Sequence, residues 1–204
     1  MCLIKGFIVY NFFKINSHHR KLNNRIMKWI YIITLLTSIS VSSQAQKYVE
    51  RDGEVHFYSK APVEDIEAHS EKGQSIVDVG SNRIAFEVPI KSFQFEKDLM
   101  QEHFNENYME SDKYPKATFS GTFSGFDINA SGKQNVKASG EIFIHGVREK
   151  WNAEGKMRVE NGKIYLETTF FVLLETFDIE KPKVLFYNIA DKIEVNLNFV
   201  YDEM

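Results

Sequence analysis

Four histidines lie beyond residue 45, His56, His69, His103 and His145, and they are the first groups to test for chemistry. A zinc or copper site built locally needs imidazoles or thiolates at short, regular spacing. None of the four stands at such a spacing from another, and the only cysteine, Cys2, is near the N-terminus. Everything after it is therefore without a disulfide, a thiol nucleophile or a thiolate ligand, and no metal or cofactor is expected. His103 falls in Gln101-Glu102-His103-Phe104-Asn105, a helical pattern, and reads as a helix-surface residue. His145, in Ile144-His145-Gly146-Val147, reads as a turn residue whose imidazole fixes the turn by hydrogen bonding. A nucleophile elbow, a phosphate loop and a dinucleotide fingerprint are all missing. The carboxylate neighbours Glu64-Asp65 and Asp202-Glu203 read as solvated charge rather than an acid-base pair. His103 and Tyr108 remain as the polar candidates for catalysis, and the residue types point away from an enzyme.

The charge of the chain is unevenly spread. Its 204 residues carry a formal −3, but residues 1–45 hold six basic residues and no acidic one, which leaves residues 46–204 near −9. So acidic a body argues against a nucleic-acid partner, because phosphate binding needs clustered Lys and Arg. From Met27 the sequence has a basic start, an apolar stretch from Trp29 to Val41, and small residues at Ser43 and Ala45. That three-part pattern predicts a secretory signal peptide cleaved after Ala45. Its apolar stretch is 13 residues, against roughly 20 for a spanning helix, so no stable membrane span is expected after cleavage. Met27 is the expected start, with residues 1–26 either an upstream extension or a long basic leader. The expected product is residues 46–204, one domain, periplasmic or secreted, and without a cysteine for a lipid anchor.

Those 159 residues read mostly as strands. In Arg83–Lys91 the residues Ile84, Phe86, Val88 and Ile90 alternate with charged or small ones, the pattern of a half-buried strand. Ala117–Phe123, Val136–Ile144 and Ile193–Phe199 repeat it, and further strands are expected at Gly53–Ser59, Ser75–Val79, Trp151–Val159 and Lys163–Leu173. Asn161-Gly162 is a strong hairpin signal between the last two. From Glu96 to Met109 the period changes: Leu99, Met100, Phe104 and Tyr108 recur every three to four residues, which predicts an amphipathic helix. A second short helix is possible at Pro62–Ala68. Many short strands with tight turns predict an all-β fold, an antiparallel barrel or sandwich.

On the inward phase, large residues (Phe86, Phe119, Phe123, Phe199) interleave with small ones (Ala117, Gly121, Ala138, Gly140). In a barrel of about eight strands such an interior either packs itself solid or holds one small ligand. Pattern alone leaves both open. Apolar pockets bind by buried area, at about 25 cal/mol per Å².

Several stretches resemble the YceI-like family of secreted, polyisoprenoid-binding bacterial proteins. They are Asp65–Ala68, Phe86–Phe95, the run from Met100 to Phe119 with its Tyr114-Pro115-Lys116-Ala117-Thr118-Phe119, Gly140–Val147 and Lys192–Phe199. Met100–Phe119 is the most specific of them. The resemblance implies a lipocalin-like antiparallel β-barrel of about eight strands with a short amphipathic helical insertion, enclosing an apolar channel for an isoprenoid chain. It departs after Val147, where Arg148-Glu149-Lys150 replaces the family's usual Thr, basic residue and Pro, and around Phe177–Pro182. It implies no catalytic residues. Phase and resemblance together nominate Phe86, Val88, Phe93, Phe95, Leu99, Met100, Phe104, Phe119 and Phe123 as lining or capping the channel. The implied ligand is an isoprenoid, another long-chain lipid or a quinone, and a homodimer is compatible. The alternative is a structural or stress-associated barrel, filled by its own side chains and acting through protein partners.

Overall fold

Each alternating segment forms a strand, and each strand pairs antiparallel with its neighbours in the computed structural model, which describes residues 46–60, 65–181 and 190–204. The expected leader and its cleavage site lie outside the described residues. In chain order the elements are β1 (Lys47–Ser59), β2 (Ile66–Asp78), β3 (Arg83–Pro89), β4 (Gln94–Phe95), α1 (Asp98–His103), β5 (Lys116–Ser124), β6 (Gln134–Ile144), β7 (Val147–Glu160), β8 (Lys163–Leu173) and β9 (Lys192–Glu203). Neighbours follow the order β1-β9-β8-β7-β6-β5-β3-β2, and β1 also pairs with β2. Eight strands thus close into a barrel, with the two-residue β4 added on β2 through Ala68 and His69. Among the described residues no helix is long and apolar enough to cross a membrane.

The helix possible at Pro62–Ala68 is not formed where it can be seen: Ile66, Ala68 and Ser70 are buried positions of β2, and residues 62–64 lie outside the described set. Nor does β2 begin at Ser75, as its sequence suggested. Its buried positions are Ile66, Ala68, Ser70, Gly73, Ser75 and Val77, so small and hydroxyl residues hide the alternation. Glu71 and Lys72 are exposed in succession where the register with β1 shifts, and such a bulge resets the phase. The hairpin at Asn161-Gly162 forms as its sequence requires, with both residues at positive φ (52° and 78°).

The two ends of the barrel differ. At the end carrying the β7–β8 turn, Tyr201, Ile164 and Val77 are fully buried and Met157 nearly so. There the Tyr201 and Ser75 hydroxyls are 2.8 Å apart, and burial pushes the Tyr201 phenol far above its ordinary pKa. Phe199 lies edge-on to Phe86, ring centres 5.3 Å apart, and stacks on Tyr201 at 6.0 Å. Its room comes from Gly53 and Gly73, cross-strand partners in β1 and β2. A Cβ on Gly53 would stand 2.4 Å from the Phe199 ring, and one on Gly73 would stand 2.7 Å from it.

The opposite end is covered by the chain between β3 and β5. Pro89, which has no N–H for the ladder, is the last residue of β3. A 3-10 turn, Ile90–Ser92, follows; the Ile90 N–H donates to the Pro115 carbonyl (2.9 Å), and Ser92 donates to the Pro89 carbonyl (2.6 Å) beside the buried Ser70 hydroxyl (2.6 Å). The helix expected over Glu96–Met109 is shorter and changes form: α1 ends at His103, and Phe104–Tyr108 is a wider π-helical turn.

Gly53→Ala is expected to destabilise the protein by roughly 1–3 kcal/mol through overpacking against Phe199. Combined with Phe199→Leu it should cost less than the two single changes added together, as read from urea unfolding midpoints. Additive costs would show that Phe199 is not what Gly53 makes room for.

Candidate functional site

Between the packed end and the covered end the inward side chains leave a cavity of about 220 Å³. For scale, an engineered apolar cavity of about 150 Å³ stays dry and takes up benzene. Its floor is Phe86, Phe123, Met157, Leu166 and Phe199, and its walls include Ala117, Phe119, Ala138, Ile142, Ala153, Val195 and Leu197. The covering chain contributes Ile90, Phe93, Phe104, Tyr108 and Met109, and the 3-10 turn Leu174–Phe177 after β8 brings Leu174, followed by Ile179.

Of the nine nominated residues, Phe86, Val88, Phe93, Phe104, Phe119 and Phe123 line this cavity together. Phe95 sits one layer behind, with ring centres 5.0 Å from Phe104 and 5.6 Å from Phe57. Met100 is partly buried against the core and does not line the cavity. Leu99 is 53% exposed on α1 and does not line it either. At the centre of the covering cluster is Phe57, which contacts Phe93 (5.4 Å), Phe95 and Phe104 (5.4 Å). Its place is readable from the alternation of Val55, Phe57 and Ser59 in β1, all buried.

Small residues on the inner face serve two different purposes. Ala117 and Ala138 line the cavity and leave it space. Gly121 and Gly140, paired across β5 and β6, do not line it. A Cβ on Gly140 would stand 2.3 Å from the Ser120 carbonyl oxygen, and one on Gly121 would stand 2.3 Å from that of Ser139. These glycines allow two backbones to approach rather than opening a slot, which corrects the reading of them as spacers.

Polar groups are few on this surface. Tyr108 lines it near the cover, and burial raises its phenol pKa, so the hydroxyl stays protonated. Thr168 donates its hydroxyl proton to the Glu154 carbonyl (2.7 Å). Trp151 lines the cavity from β7, and its Nε1 is buried with no hydrogen-bond partner. His103 does not line the cavity. Among the described residues no group of three or more His, Cys, Asp and Glu gathers to hold a metal.

His145 fastens the cover from outside the cavity. Its Nδ1 lies 3.0 Å from the Phe177 carbonyl and its Nε2 lies 3.1 Å from the Glu110 carboxylate. The imidazole thus joins the β6–β7 turn to the loop after the π-helical turn and to the 3-10 turn after β8. Glu110, His145 and Asp178 all adopt positive φ (42°, 50° and 52°), a costly conformation for residues other than glycine. Gly146, also at positive φ (82°), accepts the Tyr114 ring where a Cβ would stand 2.6 Å from it. The turn role expected of His145 thus extends to three segments.

Comparison with known proteins adds the following. A family model described as the YceI-like domain matches residues 13–201. No curated protein sequence matches the chain. Among solved structures, a polyisoprenoid binding domain from Saccharophagus degradans, implicated in plant cell wall breakdown, superposes with a TM-score of 0.68 at 12% identity, covering 79% of this chain and 100% of that one. Burkholderia cenocepacia BcnA gives 0.62 at 13% identity, over 72% of this chain and 95% of that one. A Campylobacter jejuni YCEI protein gives 0.55 at 15%, over 71% and 88%. At such identities the likeness is one of fold, and it is the closed eight-stranded antiparallel barrel that the family resemblance implied.

Two neighbouring inward positions separate empty space from close backbone contact. Ala138→Leu, which grows into the cavity, should change stability by less than about 1 kcal/mol, whereas Gly140→Ala should cost roughly 1–3 kcal/mol. Equal costs in urea unfolding would show that the space beside Ala138 is not open to a side chain.

Proposed function

The chain belongs to the YceI-like domain family, and we propose that its barrel is a binding protein that holds one long apolar lipid, an isoprenoid or similar chain, in the interior cavity. The observation that carries this reading is the interior cavity of about 220 Å³, lined mainly by aliphatic and aromatic side chains. A ligand there gains about 25 cal/mol for each Å² of apolar surface taken out of water and needs no charged partner. The polyisoprenoid-binding description of the Saccharophagus degradans domain supports the same class of ligand. Binding without turnover is supported by the chemistry of the wall, to which the described residues bring the carboxylates Glu87 and Glu154 but no His, Lys or Arg.

The reading extends to location. Residues 27–45 carry the pattern of an export signal, and an exported carrier gives an insoluble chain passage through an aqueous compartment. The protein would then act as a shuttle in the periplasm or outside the cell, with residues 1–45 absent from the working form. Cell fractionation together with the N-terminal sequence of the recovered protein tests this. Recovery in the cytoplasm with residues 1–45 intact would reject export.

Solvent extraction of protein purified without detergent should release a long-chain lipid detectable by mass spectrometry, and the emptied protein should take up a fluorescent farnesyl probe. Ala138→Phe, which fills the cavity, should abolish that uptake while the protein remains folded. Absence of both the extracted lipid and the uptake would leave the self-contained barrel, acting through protein partners, as the better account.

A further inference from the structure

Trp151 presents the one buried hydrogen-bond donor of the cavity wall that the described residues leave without an acceptor. Buried indole N–H groups in folded proteins normally find a partner, so an orphan calls for an explanation. The ring packs edge-on to Phe170, centres 6.0 Å apart, and tilted against Phe177 at 6.2 Å. Its cross-strand partner in β6 is Gly140, which has no side chain. Thr168 already spends its proton on the Glu154 carbonyl, and Tyr108 belongs to the cover, so neither replaces the indole as a donor in the body of the barrel.

We infer that Trp151 Nε1 is a hydrogen-bond anchor for the ligand, and that the cavity favours lipids whose apolar chain carries an acceptor oxygen placed to meet it, such as a ketone or ester carbonyl, over plain hydrocarbon chains. The inference rests on the proposed binding of a lipid in this cavity and specifies its class. A carbonyl entering the barrel gives up its hydrogen bonds to water, a loss that a carbon wall cannot make good. At Trp151 the same event satisfies two groups, the ligand's oxygen and the protein's donor. A hydrocarbon leaves the donor as it was. The nitrogen is covered, so the anchor requires the indole to shift against its Phe170 and Phe177 neighbours as the ligand enters.

A long-chain methyl ketone and the alkane of equal length separate the two contributions, because they share the chain and differ in the carbonyl. In the full-length protein the ketone should bind more tightly than the alkane, and Trp151→Phe, which keeps a ring and removes the N–H, should weaken the ketone about tenfold. The ketone should lose more than the alkane, which registers only the altered wall. The chain has two tryptophans, Trp29 and Trp151, so the indole signal in a proton-nitrogen NMR spectrum that disappears in Trp151→Phe reports the anchor directly. That signal should move downfield with the ketone and not with the alkane. If both probes bind and lose affinity equally in Trp151→Phe, or the indole signal responds alike to both, Trp151 is only part of the wall and the anchor is refuted while lipid binding stands. If neither probe binds the unmodified protein, the anchor and the lipid-binding reading fall together.

Discussion

Pairing β1 with both β9 and β2 leaves the interior of the sheet no slack. Once eight strands close, the barrel's width follows from strand number and tilt, and what happens inside depends only on the volume of the inward side chains. At one end that volume is large: Phe199 over Gly53 and Gly73, Tyr201, Met157 and Ile164 fill the section completely. Farther along, Ala117, Ala138, Ala153 and Gly155 face the interior instead, and the same fixed width leaves a void. The cavity is therefore a product of closure and side-chain size together. An open sheet with these residues could collapse onto them, and a closed one cannot.

Closure also explains where the polar fastenings lie. The cover must be held without placing hydrogen-bonding groups on a carbon wall, and the structure holds it from outside. His145 bridges Glu110 and Phe177, the Ser70 and Ser92 hydroxyls pin the turn after β3, and Lys91 reaches Asp112 at 2.5 Å. Inside, the cover meets the barrel through rings: Phe57, Phe93, Phe95 and Phe104 contact one another at 5.0–5.6 Å. Contacts between such rings are worth about 0.5–1.5 kcal/mol each beyond their buried area and demand no fixed hydrogen-bond geometry. Three non-glycine residues at positive φ near one imidazole show where backbone strain concentrates, at the junction of the cover and the rim.

The sequence was most legible where large residues alternate on both sides of a clear turn, as in β8, whose bounds Lys163–Leu173 match the expectation. It was least legible in β2, where Ser70, Gly73 and Ser75 occupy the buried positions and a bulge breaks the phase. Within the candidate site, Phe86, Val88, Phe119 and Phe123 share the inward phase of their strands and lie on the cavity surface. Helical periodicity did less well on α1, because a short cover helix offers only part of its apolar face to the barrel and leaves Leu99 in solvent. Gly121 and Gly140 have the same sequence signature as spacers, yet their need is set by a neighbouring strand's carbonyls, which no single segment reveals. An isolated tryptophan in a strand has the pattern of ordinary core, so alternation does not single out Trp151; its significance lies in what its nitrogen lacks.

The void itself bears on purpose. In packed cores each Å³ of lost packing costs about 24 cal/mol, so an interior left unfilled carries a cost that grows with its volume. Such costs weigh against a folding margin of only about 5–15 kcal/mol. Larger aliphatic residues at Ala117, Ala138 or Ala153 would fill part of that space without breaking a ladder hydrogen bond, since those side chains border the cavity. Stability alone would favour such residues. A barrel whose role ended at its outer surface would have no reason to keep its interior small-walled, whereas one that is completed by a ligand recovers the deficit as binding free energy. The same account explains why the packed end is so thoroughly filled: it supplies the rigidity that lets the other half of the barrel stay open.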